Sequence, residues 1–87
     1  MPTDDTIKPY AHFGRLMRHH RGGEPLHDVA RTCDVGLRTL AETESGSILP
    51  TCKTFGALIR HYRTRPGVPP LSDAAVAELV AAMGVGL

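Results

Sequence analysis

Residues 25–50 read PLHDVARTCDVGLRTLAETESGSILP, and this stretch decides the fold. It holds two short segments, residues 25–32 and 37–45, on either side of Asp-Val-Gly at positions 34–36. In each segment apolar or small side chains recur at the three- and four-residue intervals that form one face of a helix. In the second segment Leu40 and Thr43 are expected to point toward the core. The stretch therefore predicts two short helices joined by a tight turn.

Three further segments with helical spacing flank this pair. The first begins near Pro9 and ends at Gly22-Gly23, because glycine readily adopts the left-handed conformation that closes a helix. Thr51 is a suitable N-cap for a fourth helix with apolar residues at 55, 58, 59 and 62, and Ser72 is one for a fifth helix over 73–83. No segment shows the sustained alternation that is typical of strands. The sequence predicts an all-α chain of five helices.

The chain has 87 residues, which are too few for a multidomain enzyme. Its charge and composition change along the sequence and divide it into four parts. Residues 1–9 form a polar tail, 10–63 a helical domain, 64–71 a Pro/Gly strap and 72–87 a C-terminal helix. The net charge is only +1, yet residues 12–65 hold nine of the ten Lys and Arg against five acidic residues, a local charge of +4. This asymmetry indicates either an anionic partner or a solvated basic face.

The chain shows no signature of catalytic, metal or membrane chemistry. Two cysteines, Cys33 and Cys52, cannot form the disulfide framework of a small secreted domain, and Cys33 is expected to be a small buried hydrophobe. The histidines and cysteines lack the ligand spacing of a zinc site, and no nucleophile signature or phosphate loop is present. We expect no catalytic residue, no cofactor and no metal. No apolar run reaches the length of a membrane span, so a soluble, cytoplasmic protein is expected.

The central stretch has the spacing of a helix-turn-helix, and its residues resemble a known family. The resemblance is to the DNA-binding domain of phage repressor, Cro and Xre regulators, and it is carried by Pro25-Leu-His-Asp-Val-Ala30, Asp34-Val35, Leu40, Glu44, Gly46 and Pro50. Asp34 replaces the family's turn glycine, Gly36 replaces a capping serine and Leu26 replaces a glutamine. Covering residues 13 to about 62, the resemblance implies a five-helix Cro/repressor-like helix-turn-helix domain.

The resemblance also implies a partner, double-stranded DNA. The second helix of such a motif lies in the major groove, where Leu37, Arg38 and Glu42 would contact bases. Arg38 can pair with guanine and Glu42 with cytosine, while the alternative for both is an i,i+4 ion pair on a solvated helix. Contacts to the DNA backbone would come from Pro25, Leu26, Thr39, Thr51, Lys53, Arg15 and Arg18. Glu44 matches a structural position, bonded to nearby backbone or to an arginine such as Arg15 or Arg18.

The C-terminal helix indicates a second subunit. After the strap, its apolar residues are expected on one face: Val76, Leu79, Val80 and Met83. The resemblance implies that this region carries a dimer contact, and the alternative is that it packs only on the core of its own chain.

Together these features predict a transcriptional regulator, foremost a repressor of phage or plasmid type that binds a two-fold symmetric operator as a homodimer. No small-molecule ligand is evident. The alternative is a protein-interaction module, an antitoxin or an adaptor, in which the second helix of the motif meets protein. The apolar Leu37 and the missing glutamine at Leu26 favour that alternative. An enzyme is the least favoured class.

Overall fold

The computed structural model describes residues 8–84 and places five α-helices, without a strand, in that part of the chain. They are α1 (Ala11–Arg21), α2 (Leu26–Thr32), α3 (Leu37–Ser45), α4 (Cys52–Thr64) and α5 (Asp73–Gly84). The predicted all-α architecture is confirmed for this range. Most of the predicted polar tail, residues 1–7, and the last residues of the predicted C-terminal segment, 85–87, lie outside the described residues. None of the five helices is long and apolar enough to cross a membrane.

The helix ends follow local chemistry. Helix α3 has the predicted bounds because Gly46, at φ 87°, closes it in the left-handed conformation. Thr51 and Ser72 cap α4 and α5 as predicted, each side-chain oxygen accepting a backbone N–H three residues on, at 3.2 and 3.1 Å. Two starts were predicted too early: α1 begins at Ala11 rather than at Pro9, and Pro25 is the N-cap of α2 rather than its first residue.

The turn between α2 and α3 depends on Asp34. Its φ of 56° makes it the one non-glycine residue of the range 8–84 with positive φ. Asp tolerates this region better than most residues, so the turn forms without glycine, as expected from the sequence. The amide of Val35 donates to the carbonyl of Ala30 across the turn at 2.8 Å.

All five helices contribute to one core. Its fully or nearly buried apolar residues are Phe13, Met17, Val29, Ala30, Leu40, Leu58, Tyr62, Leu71, Leu79 and Ala82. Thr43, the buried polar residue among those described, is satisfied because its hydroxyl donates to the carbonyl of Thr39 at 2.8 Å. Helix α1 is central because it contacts both α3 and α5. Cys33 is only half-buried, and burial raises the pKa of its thiol.

Two glycines let α1 and the end of α3 touch backbone to backbone. A Cβ added at Gly14 would lie 2.5 Å from the carbonyl oxygen of Glu44, and one at Gly46 would lie 2.6 Å from Cα of Ala11. Real Cβ atoms are essentially never found this close to other atoms. Glycine inside a helix costs about 1 kcal/mol relative to alanine. At Gly14 that cost accompanies a contact that no other residue permits.

Helix α5 corrects one expectation. Leu79 is fully buried against the core, with Val76 and Met83 partly buried beside it, but Val80 is 53% exposed and does not share their face. Alanines complete the inner side instead, Ala82 being buried and Ala75 half-buried. Because nearly every residue of α5 is apolar, spacing alone does not identify its buried face.

Candidate nucleic-acid interface

Helix α3 presents one face to solvent and the other to the core. Leu40 and Thr43 are fully buried, as predicted, whereas Leu37, Arg38 and Thr39 are exposed at the start of the helix. Contacts with α1 and α2 hold α3 in place from the protein side. The result is a supported helix whose first turn projects polar and apolar groups outward.

Arg38 and Glu42 form an ion pair along the outer face of α3. The Arg38 Nε lies 3.4 Å from a carboxylate oxygen of Glu42, and the Arg38 side chain is 90% exposed. A solvated i,i+4 pair contributes about 0.3–0.5 kcal/mol, so little opposes its opening toward another partner. Leu37, half exposed, stands beside this pair at the start of the helix.

The N-terminal ends of α2 and α3 lack side-chain caps. The N-cap residues are Pro25 and Gly36, whose side positions carry no hydrogen-bond acceptor, so no side chain caps either helix. Uncapped N–H groups at a helix start favour a negatively charged partner such as phosphate. Pro25 is exposed, but Leu26 is half-buried and packs partly against the core, so its side chain serves the fold first.

The start of α4 lies next to the turn that precedes α3. Lys53 lines a small cavity, about 200 Å³ in volume, together with Asp34 and Val35 of that turn. Lys53 is exposed, as is Thr51, whose hydroxyl is already occupied as the cap of α4. The structure therefore brings Lys53 and the beginning of α3 to one region of the surface.

Arg15 and Arg18 lie elsewhere. Both side chains are exposed on α1. The close contact of Gly14 with Glu44 places this part of α1 beside the C-terminal end of α3, whereas Leu37 and Arg38 occupy the other end. A nine-residue helix is about 13 Å long, so the α1 arginines and Arg38 lie near opposite ends of α3.

No model of a known protein family matches this chain, and no curated protein matches it significantly.

A second charged cluster was missed by sequence reasoning. Glu24, in the loop before α2, accepts hydrogen bonds from His61 and from Arg65 at the end of α4, both at 2.9 Å. Burial alone would raise the pKa of Glu24, but the hydrogen bonds and the electrostatic attraction from His61 and Arg65 together outweigh it and hold the pKa below its ordinary value. The partners are 37 and 41 residues away from Glu24, so no local spacing could have revealed the cluster.

The cluster ties the loop that leads into α2 to the end of α4. Arg65 also donates to the carbonyls of Arg21 and His20, the last two residues of α1. Across residues 8–84, no group of three or more His, Cys, Asp and Glu side chains is arranged to hold a metal ion. Through its hydrogen bonds the cluster braces the loop before α2 and the end of α1 against the end of α4.

Proposed function

We propose that this chain is a sequence-specific double-stranded DNA-binding regulator of transcription, foremost a repressor, that acts in the cytoplasm as a homodimer on a two-fold symmetric operator. In this proposal α2 and α3 are a helix-turn-helix of the phage repressor, Cro and Xre type. The observation that carries it is the outward pair of Arg38 and Glu42, joined at 3.4 Å, on a helix whose inner residues Leu40 and Thr43 are fully buried.

The energetics favour an exchange of partners by Arg38. A bidentate contact of arginine with guanine O6 and N7 discriminates by about 1–3 kcal/mol, which exceeds the few tenths contributed by a solvated ion pair. Glu42, released from Arg38, can accept from the N4 amine of cytosine, and Leu37 can lie against a thymine methyl group. A single α-helix fits the B-DNA major groove, which is about 12 Å wide.

Phosphate contacts would fix the register of α3 in the groove. The uncapped starts of α2 and α3 are suited to phosphate, and Lys53 lies beside the turn between these helices. Thr39, in the first turn of α3, and Thr51, the cap of α4, are also exposed and would add contacts to the DNA backbone. Arg15 and Arg18 would reach the backbone at the other end of α3. Because the net charge of one chain is only +1, high affinity would need two subunits bound to two half-sites whose centres lie about 34 Å apart.

For the dimer, the exposed Val80 on α5 is the natural contact. Leu79 is fully buried in the core of its own chain and cannot contact a second copy, while Val76 and Met83 are partly buried. Val68 of the strap is also exposed and apolar. A two-fold axis near α5 would bring Val80 of one copy against Val80 of the other.

The decisive experiment compares Arg38→Ala with Arg31→Ala. Arg31 is the matched control because it is also exposed and also forms a short-range ion pair, with Asp28 at 2.9 Å. Sequences bound by each variant are selected from random DNA and their affinities measured by mobility shift over a range of salt. For the native chain we expect a two-fold symmetric consensus. Arg38→Ala should lose the preference at one base-pair position and bind about 10-fold or more weakly. Arg31→Ala should keep the consensus unchanged.

The same experiment addresses the alternative function. Leu37 is half exposed beside the start of α3, and such a side chain also suits a protein partner in an antitoxin or adaptor. In that case no DNA sequence is enriched, no fragment is retarded at low salt, and Arg38→Ala changes nothing measured on DNA. If the chain is a DNA-binding regulator, its affinity for DNA should fall steeply as salt increases, because each neutralised phosphate releases counterions.

A further inference from the structure

A chain of hydrogen bonds ties Lys8 to the C-terminal end of α3. Nζ of Lys8 donates to the hydroxyl of Ser47 at 3.0 Å, and the hydroxyls of Ser47 and Ser45 lie 3.0 Å apart. The Ser45 hydroxyl donates to the carbonyl of Glu42 at 2.9 Å. Because the single hydroxyl hydrogen of Ser45 is used there, Ser47 donates to Ser45 and accepts from Lys8. The three side chains therefore form one directed network that begins at the ammonium of Lys8.

Lys8 keeps its positive charge and most of its donors in this network. An ammonium has three N–H donors, and the hydrogen bond to Ser47 uses one of them. Since the serine is neutral, it fixes the position of the ammonium without neutralising it. Backbone hydrogen bonds seat the same segment: the amide of Tyr10 donates to the carbonyl of Gly46 at 3.0 Å, and that of Ala11 to the carbonyl of Lys8 at 3.2 Å. Lys8 is thus a cation held in place at the end of α3.

The network lies at the end of the outward face of α3. Ser45 follows Arg38 by seven residues, which places it within about 20° of Arg38 around the helix and about 10 Å further along the axis. Arg38 is 90% exposed, Ser45 is exposed as well, and the contact between the hydroxyls of Ser45 and Ser47 lies at the surface. The face that carries Arg38 near its start therefore ends at the Lys8 network.

Helix α3 has no basic residue at this end. Its last turn contains none, and Glu42 and Glu44 lie close by in the sequence. The C-terminal end of a helix also bears a partial negative charge. Without compensation, this end of α3 would repel the phosphates that border the major groove. Lys8, which precedes α1 in the sequence, supplies positive charge where the helix itself lacks it.

We propose that Lys8 binds a phosphate of the DNA backbone at the C-terminal end of α3, with Ser47 and Ser45 as the residues that position it. The proposal rests on the proposed function, because it names a further contact of the same DNA-binding surface. Lysine suits this role, since its ammonium is a compact charge that binds phosphate without reading a base. With the uncapped start of α3 at one phosphate and Lys8 at another, both ends of the helix would be fixed in the groove.

The charge of Lys8 is tested with Lys8→Gln. Glutamine can still donate to Ser47 but carries no charge, so the network is retained. Affinity for the operator selected by the native chain is measured by mobility shift over a range of salt. Each phosphate contact contributes about 0.9 to the slope of log K against log salt, so the slope should fall by about 1.8 when both subunits of a dimer lose one contact. Affinity should fall on the order of 10-fold for operator and random-sequence DNA alike, with the consensus unchanged.

A second variant separates position from charge. Ser47→Ala removes the acceptor that holds Lys8 but leaves the ammonium, so the salt slope should stay at the native value while affinity falls about 3-fold. Arg31→Gln is the matched control, because it removes one positive charge from an exposed residue outside the proposed DNA contacts. It should change the slope much less than Lys8→Gln does.

Ethylation of single phosphates locates the contact. In DNA that carries one ethylated phosphate per molecule, ethylation of the phosphate bound by Lys8 should interfere with binding of the native chain, once in each half-site. That interference should vanish in Lys8→Gln, which has no charge to pair with the phosphate, and should persist in Arg31→Gln. A lysine with a purely structural role would leave the interference pattern as it is in the native chain.

The outcomes distinguish this proposal from the function on which it rests. A native chain that binds no DNA at low salt would overturn both. Operator binding with an unchanged salt slope and an unchanged ethylation pattern in Lys8→Gln would overturn the Lys8 site alone. So would an altered consensus, which would show that Lys8 reads a base, or a melting temperature far below that of the native chain, which would show that Lys8 serves the fold. A reduced slope in Ser47→Ala would contradict the positioning role of Ser47.

Discussion

Nε of Arg21, the last residue of α1, donates a 2.8 Å hydrogen bond to a carboxylate oxygen of Glu44 near the end of α3. Both side chains are largely buried, 14% and 7% exposed, and the hydrogen bond to Glu44 raises the pKa of Arg21. Glu44 was expected to bond a nearby backbone group or an arginine such as Arg15 or Arg18. Its structural role is confirmed, but the arginine it binds is Arg21, one turn further along α1.

Loss of this pair should destabilise the fold. We expect Glu44→Gln to lower the free energy of unfolding by about 2 kcal/mol, because the neutral amide leaves a buried guanidinium poorly compensated. Urea denaturation followed by circular dichroism measures this. Glu42→Gln, on the exposed pair of the same helix, is the control and should cost less than about 0.5 kcal/mol. Equal effects of the two substitutions would contradict the assignment.

Asp34→Gly should stabilise the chain. The left-handed backbone at Asp34 costs a residue with a Cβ about 1 kcal/mol, part of which Asp recovers, and glycine adopts it without steric cost. We expect a gain of about 0.5 kcal/mol in the free energy of unfolding. Asp28→Gly, inside α2, is the opposite case and should destabilise by a similar amount or more. A loss of stability in Asp34→Gly would show that the aspartate has an unrecognised role in the turn.

Gly14→Ala should be strongly destabilising although alanine is the better helix former. The added Cβ would meet the backbone of Glu44 at 2.5 Å, so α1 and α3 must separate. We expect a cost of more than about 2 kcal/mol, consistent with overpacking of a close contact. Gly56→Ala is the control within α4, where a Cβ meets nothing within 4 Å, and it should stabilise by up to about 1 kcal/mol. Thermal melting of both variants checks the sign of each change.

Val80→Lys tests the proposed dimer. Val80 is exposed in the single chain, so a lysine there should leave the fold intact while placing two like charges across a two-fold contact. Sedimentation equilibrium should show a monomer for Val80→Lys and a dimer for the native chain. Ala74→Lys, exposed and about 120° around the same helix, should remain dimeric. A native chain that is monomeric at every concentration would dismiss the dimer.

Stability should fall as the medium becomes acidic. His20 has a lowered pKa in the folded state, so its contribution is present above the ordinary value of 6.5 and is lost as the pH falls through the folded pKa. Glu24, also lowered, adds a second loss at pH values below about 4.5. Replacing His20 with Asn should flatten the unfolding free energy between neutral and mildly acidic pH. The exposed His27→Asn should follow the native profile, and an unaltered slope in His20→Asn would argue against this origin.

Local signals in the sequence were sufficient for the helices but not for their partners. Gly36 and Gly46 bracket α3, and the caps at Thr51 and Ser72 are read from single residues, so these bounds could be predicted. The choice of Arg21 by Glu44 depends on how α1 lies across α3, which periodicity does not specify. Helix α5 is apolar almost all round, so the exposure of Val80 became evident only when the helix was seated on the core.

The candidate surface shows the same division. Leu37, Arg38 and Glu42 could be placed on the outer side of α3 because Leu40 and Thr43 fix the inner side. The cluster of Glu24, His61 and Arg65 could not be foreseen, because Glu24 lies 37 and 41 residues from its two partners and no local pattern joins them.

The contact at Gly14 and Gly46 has a consequence for how this protein can change over generations. Because α1 and α3 meet through main-chain atoms, the seat of α3 does not depend on which side chains its outer positions carry. Positions 37, 38, 39 and 41 can therefore vary without shifting the helix that bears them. Gly14 and Gly46 cannot be replaced without separating the helices, whereas the exposed residues of α3 can be substituted one at a time while the helix keeps its position.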